Sequence, residues 1–212
     1  MTKEKFPNLI HNKTVLKAGY IAIVVNLFLA IFKVIIGTIS GSLAIMSDAL
    51  HGLIDTISGI VIVVSEKLGS SKKFHQDHEK IEHAGAIAIA IIILAVGIHI
   101  IIESIEKLTH PEEIEYSLPV IIVLIASIIG KLLLGRYLKR TGKKVKSDTL
   151  IASSVETIND SIISGAVLLS ALIYLIWQID IEAYISLIIS LIIIKLGLEL
   201  IFPKFFKHHH HH

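Results

Sequence analysis

The sequence contains no cysteine, and this absence removes several kinds of site. Disulfide bonds, thiolate metal sites and cysteine nucleophiles are all excluded. Aromatic residues make up only 6% of the 212 residues, which argues against a surface that stacks nucleic-acid bases. Charged residues are also scarce, at 18% against roughly 25% in ordinary soluble domains. We therefore expect no nucleic-acid partner and no ordinary soluble domain.

Apolar residues are abundant, at 53% of the chain, and they are concentrated in six stretches. Crossing a bilayer takes about 20 mainly apolar residues per helix, and each stretch meets that need. The stretches lack the alternation of membrane β-strands and favour helices. They cover residues 18–36, 43–65, 84–102, 117–134, 150–176 and 183–202. The predicted fold class is an all-α integral membrane protein with six transmembrane helices in one domain, 1–207, surrounded by membrane lipid. The histidines at 208–212 are a purification tag.

The basic residues predict the orientation of these helices. Sixteen of the 20 lysines and arginines fall in alternate connecting segments, 3–17, 67–80, 136–146 and 204–207. The intervening segments are acidic and contain only Lys107. By the positive-inside rule, both termini are expected in the cytoplasm of a multi-pass protein of the inner cell membrane.

Two of the apolar stretches contain a pair of ionisable residues near mid-membrane. His51 and Asp55 lie in the second stretch, and Glu156 and Asp160 lie in the fifth. A charged residue at that depth costs roughly 2.5–3.5 kcal/mol to insert. Spacing of four residues puts both members of a pair on one helix face. At about 1.5 Å per residue, antiparallel helices would bring Asp55 level with Glu156 and His51 level with Asp160.

A divalent cation would compensate three carboxylates and one imidazole in such a place. Four nitrogen and oxygen ligands suit tetrahedral zinc. The alternative is a structural role, with one or both pairs bonded to Asn26, Lys33 or hydroxyl groups at helix ends. We expect Asp48, which lies three residues before His51, and Asn26 to support the ligands rather than to bind metal.

An ordered set of motifs accompanies these pairs. It consists of Asn26, Lys33 and Gly37, the run SGSLAIMSDALHGLID from Ser40 to Asp55, the run HEKIE from His78 to Glu82, and Asp180 with Ser186 and Ser190. The set resembles the cation diffusion facilitator family of proton-coupled metal exporters over essentially the whole six-helix region.

The resemblance implies that His51, Asp55, Glu156 and Asp160 form a metal transport site. It also implies a homodimer that exchanges a cytosolic divalent metal for external protons. Such a protein is a secondary active transporter rather than an enzyme, and it needs no cofactor. Zn²⁺ is the first expectation for the cargo. However, Glu156 stands where the family usually has His or Asp, and the added oxygen ligand admits Mn²⁺, Fe²⁺, Co²⁺ or Cd²⁺.

The resemblance bears on two further segments. Some family members bind a second metal before the third span, where this chain has His75, Asp77 and His78; the alternative is a solvated loop. Most members continue after the sixth span into a cytoplasmic metal-sensing domain. Here the sequence reaches Lys207 and the tag, so we expect a transmembrane domain without that extension. His99, alone in the third stretch, is expected to be a packing or interface residue.

Two other classes of function stay open from the residues. An intramembrane metal-dependent hydrolase would need an open metal position and a base, and the motif His-Glu-x-x-His is absent. A passive cation channel or a metal sensor would conduct or bind without proton coupling.

Overall fold

A computed structural model describes residues 5–69, 77–110 and 114–202 of the chain. Within these ranges the chain forms six α-helices and no β-strand. The helices are α1 (Lys5–Ser40), α2 (Leu43–Gly69), α3 (Asp77–Thr109), α4 (Leu118–Val145), α5 (Asp148–Trp177) and α6 (Glu182–Ile201). Each of the six predicted apolar stretches coincides with one helix, to within one residue at the ends where a stretch extends beyond its helix.

Five of the six helices are longer than the apolar stretches that predicted them. Helix α1 has 36 residues and α3 has 33, because their hydrogen bonding continues into polar flanks, which contain lysines in α1 and both lysines and glutamates in α3. These residues are good helix formers, so loss of hydrophobicity does not end a helix. The difference matters most in α4, which runs to Val145 rather than to about residue 134. Lys131, which the sequence placed near the end of this span, therefore lies in the middle of a helix.

Helix packing arranges four helices around the polar residues. α1 packs along α2 and α4 packs along α5, while α1–α4 and α2–α5 contacts close the ring. α3 and α6 pack along each other and join the ring mainly through α2. Two short connections hold the hairpins: Gly41, at φ 65°, joins α1 to α2, and Lys146, at φ 55°, ends α4. The next residue, Ser147, caps α5 by accepting a hydrogen bond from the Leu150 amide.

Close approach of α4 and α5 depends on a glycine. A Cβ atom added at Gly135 would lie 2.6 Å from Ile158 Cγ1 and 3.3 Å from the Ser154 carbonyl oxygen. Since a β-branched side chain and a backbone carbonyl cannot both give way, a larger residue would push the two helices apart. Small residues permit this kind of helix contact in membrane proteins.

We therefore expect Gly135→Ala to lower the free energy of unfolding in detergent by about 1–3 kcal/mol, the usual cost of overpacking. Gly165→Ala is the matched control, because an added Cβ there meets no atom within 4 Å. That change should be neutral or stabilising, since alanine favours a helix over glycine. Thermal unfolding of the two variants checks the prediction, and equal behaviour would contradict it.

The surface of the bundle shows that this is a membrane protein. Large apolar side chains point outward along its helices, among them Ile39 and Ile162, which are 71% and 68% exposed. Three helices of the described chain are long and apolar enough to cross a membrane, Lys13–Ser40, Leu118–Val145 and Asp148–Trp177. The number of crossings and the side of the termini stay predictions.

Candidate metal site

Helix α2 contributes three ionisable side chains to the interior of the bundle. Asp48, His51 and Asp55 follow one another at intervals of three and four residues, so they lie along one face of the helix. Asp48 and His51 are 1% and 4% exposed. The side chain of Asp55 is 14% exposed. A helix that buries three such groups must supply partners for each of them.

His51 and Asp160 meet between α2 and α5. His51 Nε2 lies 3.1 Å from Asp160 Oδ1, and both side chains are buried. The sequence predicted that His51 and Asp160 lie at the same depth in the membrane, and the structure brings these two residues into contact. The other ring nitrogen, His51 Nδ1, is buried without a hydrogen-bond partner in the described part of the chain.

Asp55 completes a cluster of three potential metal ligands. One ligand atom from each of His51, Asp55 and Asp160 lies within 4.8 Å of the others. This is the geometry needed for a single ion to reach all three after small side-chain movements. An imidazole nitrogen and two carboxylate oxygens are ligands that divalent transition metals accept.

Glu156, the fourth predicted ligand, lies outside this cluster. Its side chain is exposed, one turn of α5 away from Asp160. Its role as a ligand stays a prediction that requires the carboxylate to turn toward the other three.

Lys131 is the component of the site that the sequence analysis missed. This lysine is 1% exposed in the middle of α4. Its Nζ donates hydrogen bonds to Asp55 Oδ2 at 2.7 Å and to Asp160 Oδ2 at 2.9 Å. The sequence feature that could have revealed it is a single lysine thirteen residues after the start of an apolar helix. A positive charge at that depth needs a buried anionic partner.

A second polar cluster lies beside the first and involves α1. Lys33 Nζ is 2.8 Å from Asp48 Oδ2 and donates to Ser164 Oγ at 2.9 Å. Ser164 in turn donates to Asp48 Oδ1 at 3.2 Å. Asp48 is therefore neutralised by a lysine of its own. Asn26 is also buried, and its Oδ1 has no hydrogen-bond partner among the described residues.

Three further predicted ligands fall on side chains outside the described part of the structure. His75 lies outside the described residues, and the side chains of Asp77 and His78, at the start of α3, are not described either. The second metal site therefore stays a prediction. His99 is largely exposed, and its Nε2 lies 3.3 Å from Glu103 Oε1 on the same helix.

A third buried cluster ties four segments together where α6 begins. Glu182 is fully buried and accepts from the Ala44 amide at 2.9 Å, from Lys107 Nζ at 3.2 Å and from the Tyr116 hydroxyl at 2.9 Å. Burial, together with the adjacent Glu182 carboxylate, raises the pKa of the Tyr116 phenol, which keeps it a hydrogen-bond donor. This Glu182 cluster anchors the start of α2, the helix that holds His51.

Comparison with known proteins supports a transport role for proteins of this kind. The family described as the cation efflux transmembrane domain matches residues 19–206. The manganese efflux system protein MneP of Bacillus subtilis is 29% identical over 89% of this chain and 66% of its own length. A cadmium, cobalt and zinc/H⁺–K⁺ antiporter of Bacillus velezensis is 27% identical over 88% of this chain and 59% of its own.

An uncharacterised transporter of Methanocaldococcus jannaschii is 28% identical over 85% of this chain. The chain covers 65% of that relative, so it spans about two thirds or less of the length of these curated relatives. The family match covers most of the chain and extends through all six helices. The chain therefore belongs to the cation diffusion facilitator family of metal-cation efflux transporters.

Proposed function

We propose that this protein exports a divalent transition-metal cation from the cytoplasm in exchange for protons. The observation that carries the proposal is the buried cluster of His51, Asp55 and Asp160, whose ligand atoms lie within 4.8 Å of one another. Buried carboxylates and an imidazole on facing helices mark an ion pathway in membrane proteins. In this proposal Glu156 is the fourth ligand, and all six helices cross the inner membrane with both termini in the cytoplasm.

Zn²⁺ is the first candidate for the cargo, and Mn²⁺, Fe²⁺, Co²⁺ and Cd²⁺ follow. One nitrogen and several carboxylate oxygens form a mixed ligand set that does not restrict the site to one of these ions. One relative is named as a manganese efflux protein, and another is named as a cadmium, cobalt and zinc antiporter. A transport panel should therefore include all five ions.

Proton coupling follows from the chemistry of the ligands. Metal binds an imidazole with a free lone pair and ionised carboxylates, so protons and metal compete for the same atoms. When the site faces outside, protons displace the metal ion. An imidazole suits this exchange because its ordinary titration range includes physiological pH. With a proton on His51, the emptied site then returns across the membrane with less uncompensated negative charge.

The proposal includes a homodimer. α3 and α6 expose ionisable side chains on the outside of the described bundle, with His99 and Lys195 at 68% and 66% exposure. Each has a carboxylate partner four residues further along its own helix. Such pairs are costly against hydrocarbon, and a second copy packed over these helices would shield them.

Proteoliposomes that contain a pH-sensitive dye would test the proposal. We expect saturable entry of at least one of the five metals and a matching proton flow in the opposite direction. His51→Ala should reduce this transport by about tenfold or more, because a ligand is lost along with the interaction at Asp160. Asp148→Asn, which changes an exposed acid at the start of α5, should retain it.

Two results would contradict the proposal. Flux that rises without saturation and moves no protons would indicate a passive channel instead. Unchanged transport in both His51→Ala and Asp160→Ala would show that the cluster is not the transport site.

A further inference from the structure

Lys131 Nζ contacts two of the proposed metal ligands at once. Its ammonium group lies between the two carboxylates of the cluster, 2.7 Å from Asp55 and 2.9 Å from Asp160. Both oxygens that it contacts belong to proposed metal ligands. The remaining oxygen of Asp160 faces His51 Nε2, so this aspartate is fully engaged without any metal.

A second buried lysine, Lys33, neutralises a carboxylate without contacting the ligand cluster. Lys33 is equally buried, yet it pairs with Asp48 and Ser164, which are not members of the ligand cluster. Lys131 alone, among the described lysines, contacts two of the clustered ligands. Its position therefore bears directly on metal binding.

A divalent ion and this ammonium group cannot share the two carboxylates at low cost. Metal–oxygen bonds of about 2.0–2.2 Å would bring the ion close to Nζ, and the two positive charges repel in a medium that screens them poorly. The four-carbon stem of lysine is flexible, so Nζ can leave the carboxylates without a movement of the α4 backbone.

From this geometry, and resting on the transport function proposed above, we infer that Lys131 is a tethered counter-cation of the transport site. It holds Asp55 and Asp160 when no metal is bound and leaves them when metal binds. The site then never faces the membrane as two unpaired carboxylates. Metal affinity is correspondingly lower than the ligands alone would give, which favours release of the cargo.

The experiment measures metal affinity in the purified protein. Isothermal titration in detergent would use Mn²⁺ and Zn²⁺ after removal of the histidine tag, since the tag itself binds metal. Lys131→Met and Lys131→Gln should each bind metal at least about tenfold more tightly than the unchanged protein. A neighbouring charge shifts the protonation equilibrium of a carboxylate by about one to three orders of magnitude, and metal binds the same oxygens. Lys131→Arg, which keeps the charge, should show no gain.

Lys139→Met is the control, because Lys139 is an exposed lysine of the same helix, α4, and lies outside the ligand cluster. Its metal affinity should equal that of the unchanged protein. Lys131→Gln retains a hydrogen-bond donor for the carboxylates, so it remains informative if Lys131→Met does not fold. Thermal unfolding adds a second readout: saturating metal should raise the melting temperature of Lys131→Gln by more than that of the unchanged protein.

Equal or weaker binding in Lys131→Met and Lys131→Gln would overturn the inference and make Lys131 a residue that positions the carboxylates. Failure of the transport proposal looks different. In that case the unchanged protein binds metal no more tightly than variants that lack His51 or Asp160.

Discussion

Replacing Asp160 with asparagine is expected to abolish metal binding and transport, with a loss of affinity of more than about 100-fold. Substituting a residue that only supports a metal ligand already lowers metal affinity or activity by about 10–100-fold. Asp160 is itself a proposed ligand, so its loss should cost more. It is also the residue that contacts both His51 and Lys131. The change keeps the size of the side chain but removes its charge.

The fold should survive this substitution. Lys131 retains its 2.7 Å contact with Asp55, so its ammonium is not left buried without an anionic partner. Titration of Mn²⁺ and Zn²⁺ into tag-free protein, followed by the liposome assay, gives the measurement. Asp148→Asn provides a matched change on the same helix at an exposed position. Metal affinity within a few-fold of normal in Asp160→Asn would remove this residue from the site.

Replacing Glu182 with alanine should have the largest effect on stability. The change leaves the buried Lys107 ammonium without its carboxylate, and it removes an acceptor from the Ala44 amide and the Tyr116 hydroxyl. Breaking a buried ion pair from one side costs about 3–5 kcal/mol. Glu106→Ala changes an exposed acid of α3 and should alter stability by no more than about 0.5 kcal/mol.

A double variant separates the ion pair from general disruption of this region. Lys107→Met combined with Glu182→Ala should be more stable than Glu182→Ala alone, because the stranded charge is gone. Chemical or thermal unfolding in detergent measures all four proteins. If the double variant is the least stable of them, the ion pair is not the source of the loss.

The helices and one part of the site could be predicted from the sequence for clear physical reasons. The number of helices follows from the length and hydrophobicity of the apolar stretches, because the thickness and apolar interior of the bilayer determine both. The rise per residue specifies depth, which is why the contact between His51 and Asp160 followed from counting residues along two helices.

Rotation about a helix axis is less well determined. Four residues turn an α-helix by about 400°, so a residue four positions away is offset by about 40° around the helix. This offset lets Asp160 face α2 while Glu156, one turn away, is exposed. Nothing in the sequence of α5 alone shows which of the two carboxylates faces inward.

Contacts between distant helices were the least predictable. Lys131 and Glu182 each meet partners from helices far away in sequence, and neither belongs to a periodic pattern. Glu182 in particular resembles the acid that commonly begins a helix, where it interacts with the helix dipole. Its burial depends on how α6 docks against the start of α2.

The face of α2 that holds Asp48, His51 and Asp55 also has a mechanical consequence. Asp48 receives a hydrogen bond from Ser164, His51 contacts Asp160, and Asp55 is linked to Asp160 through Lys131. These three attachments occupy successive turns of α2 and all lead to α5. Sliding of one helix along the other would break all of them together, so α2 and α5 are expected to move as one rigid piece. Access to the site should therefore alternate through movements of other helices around this pair.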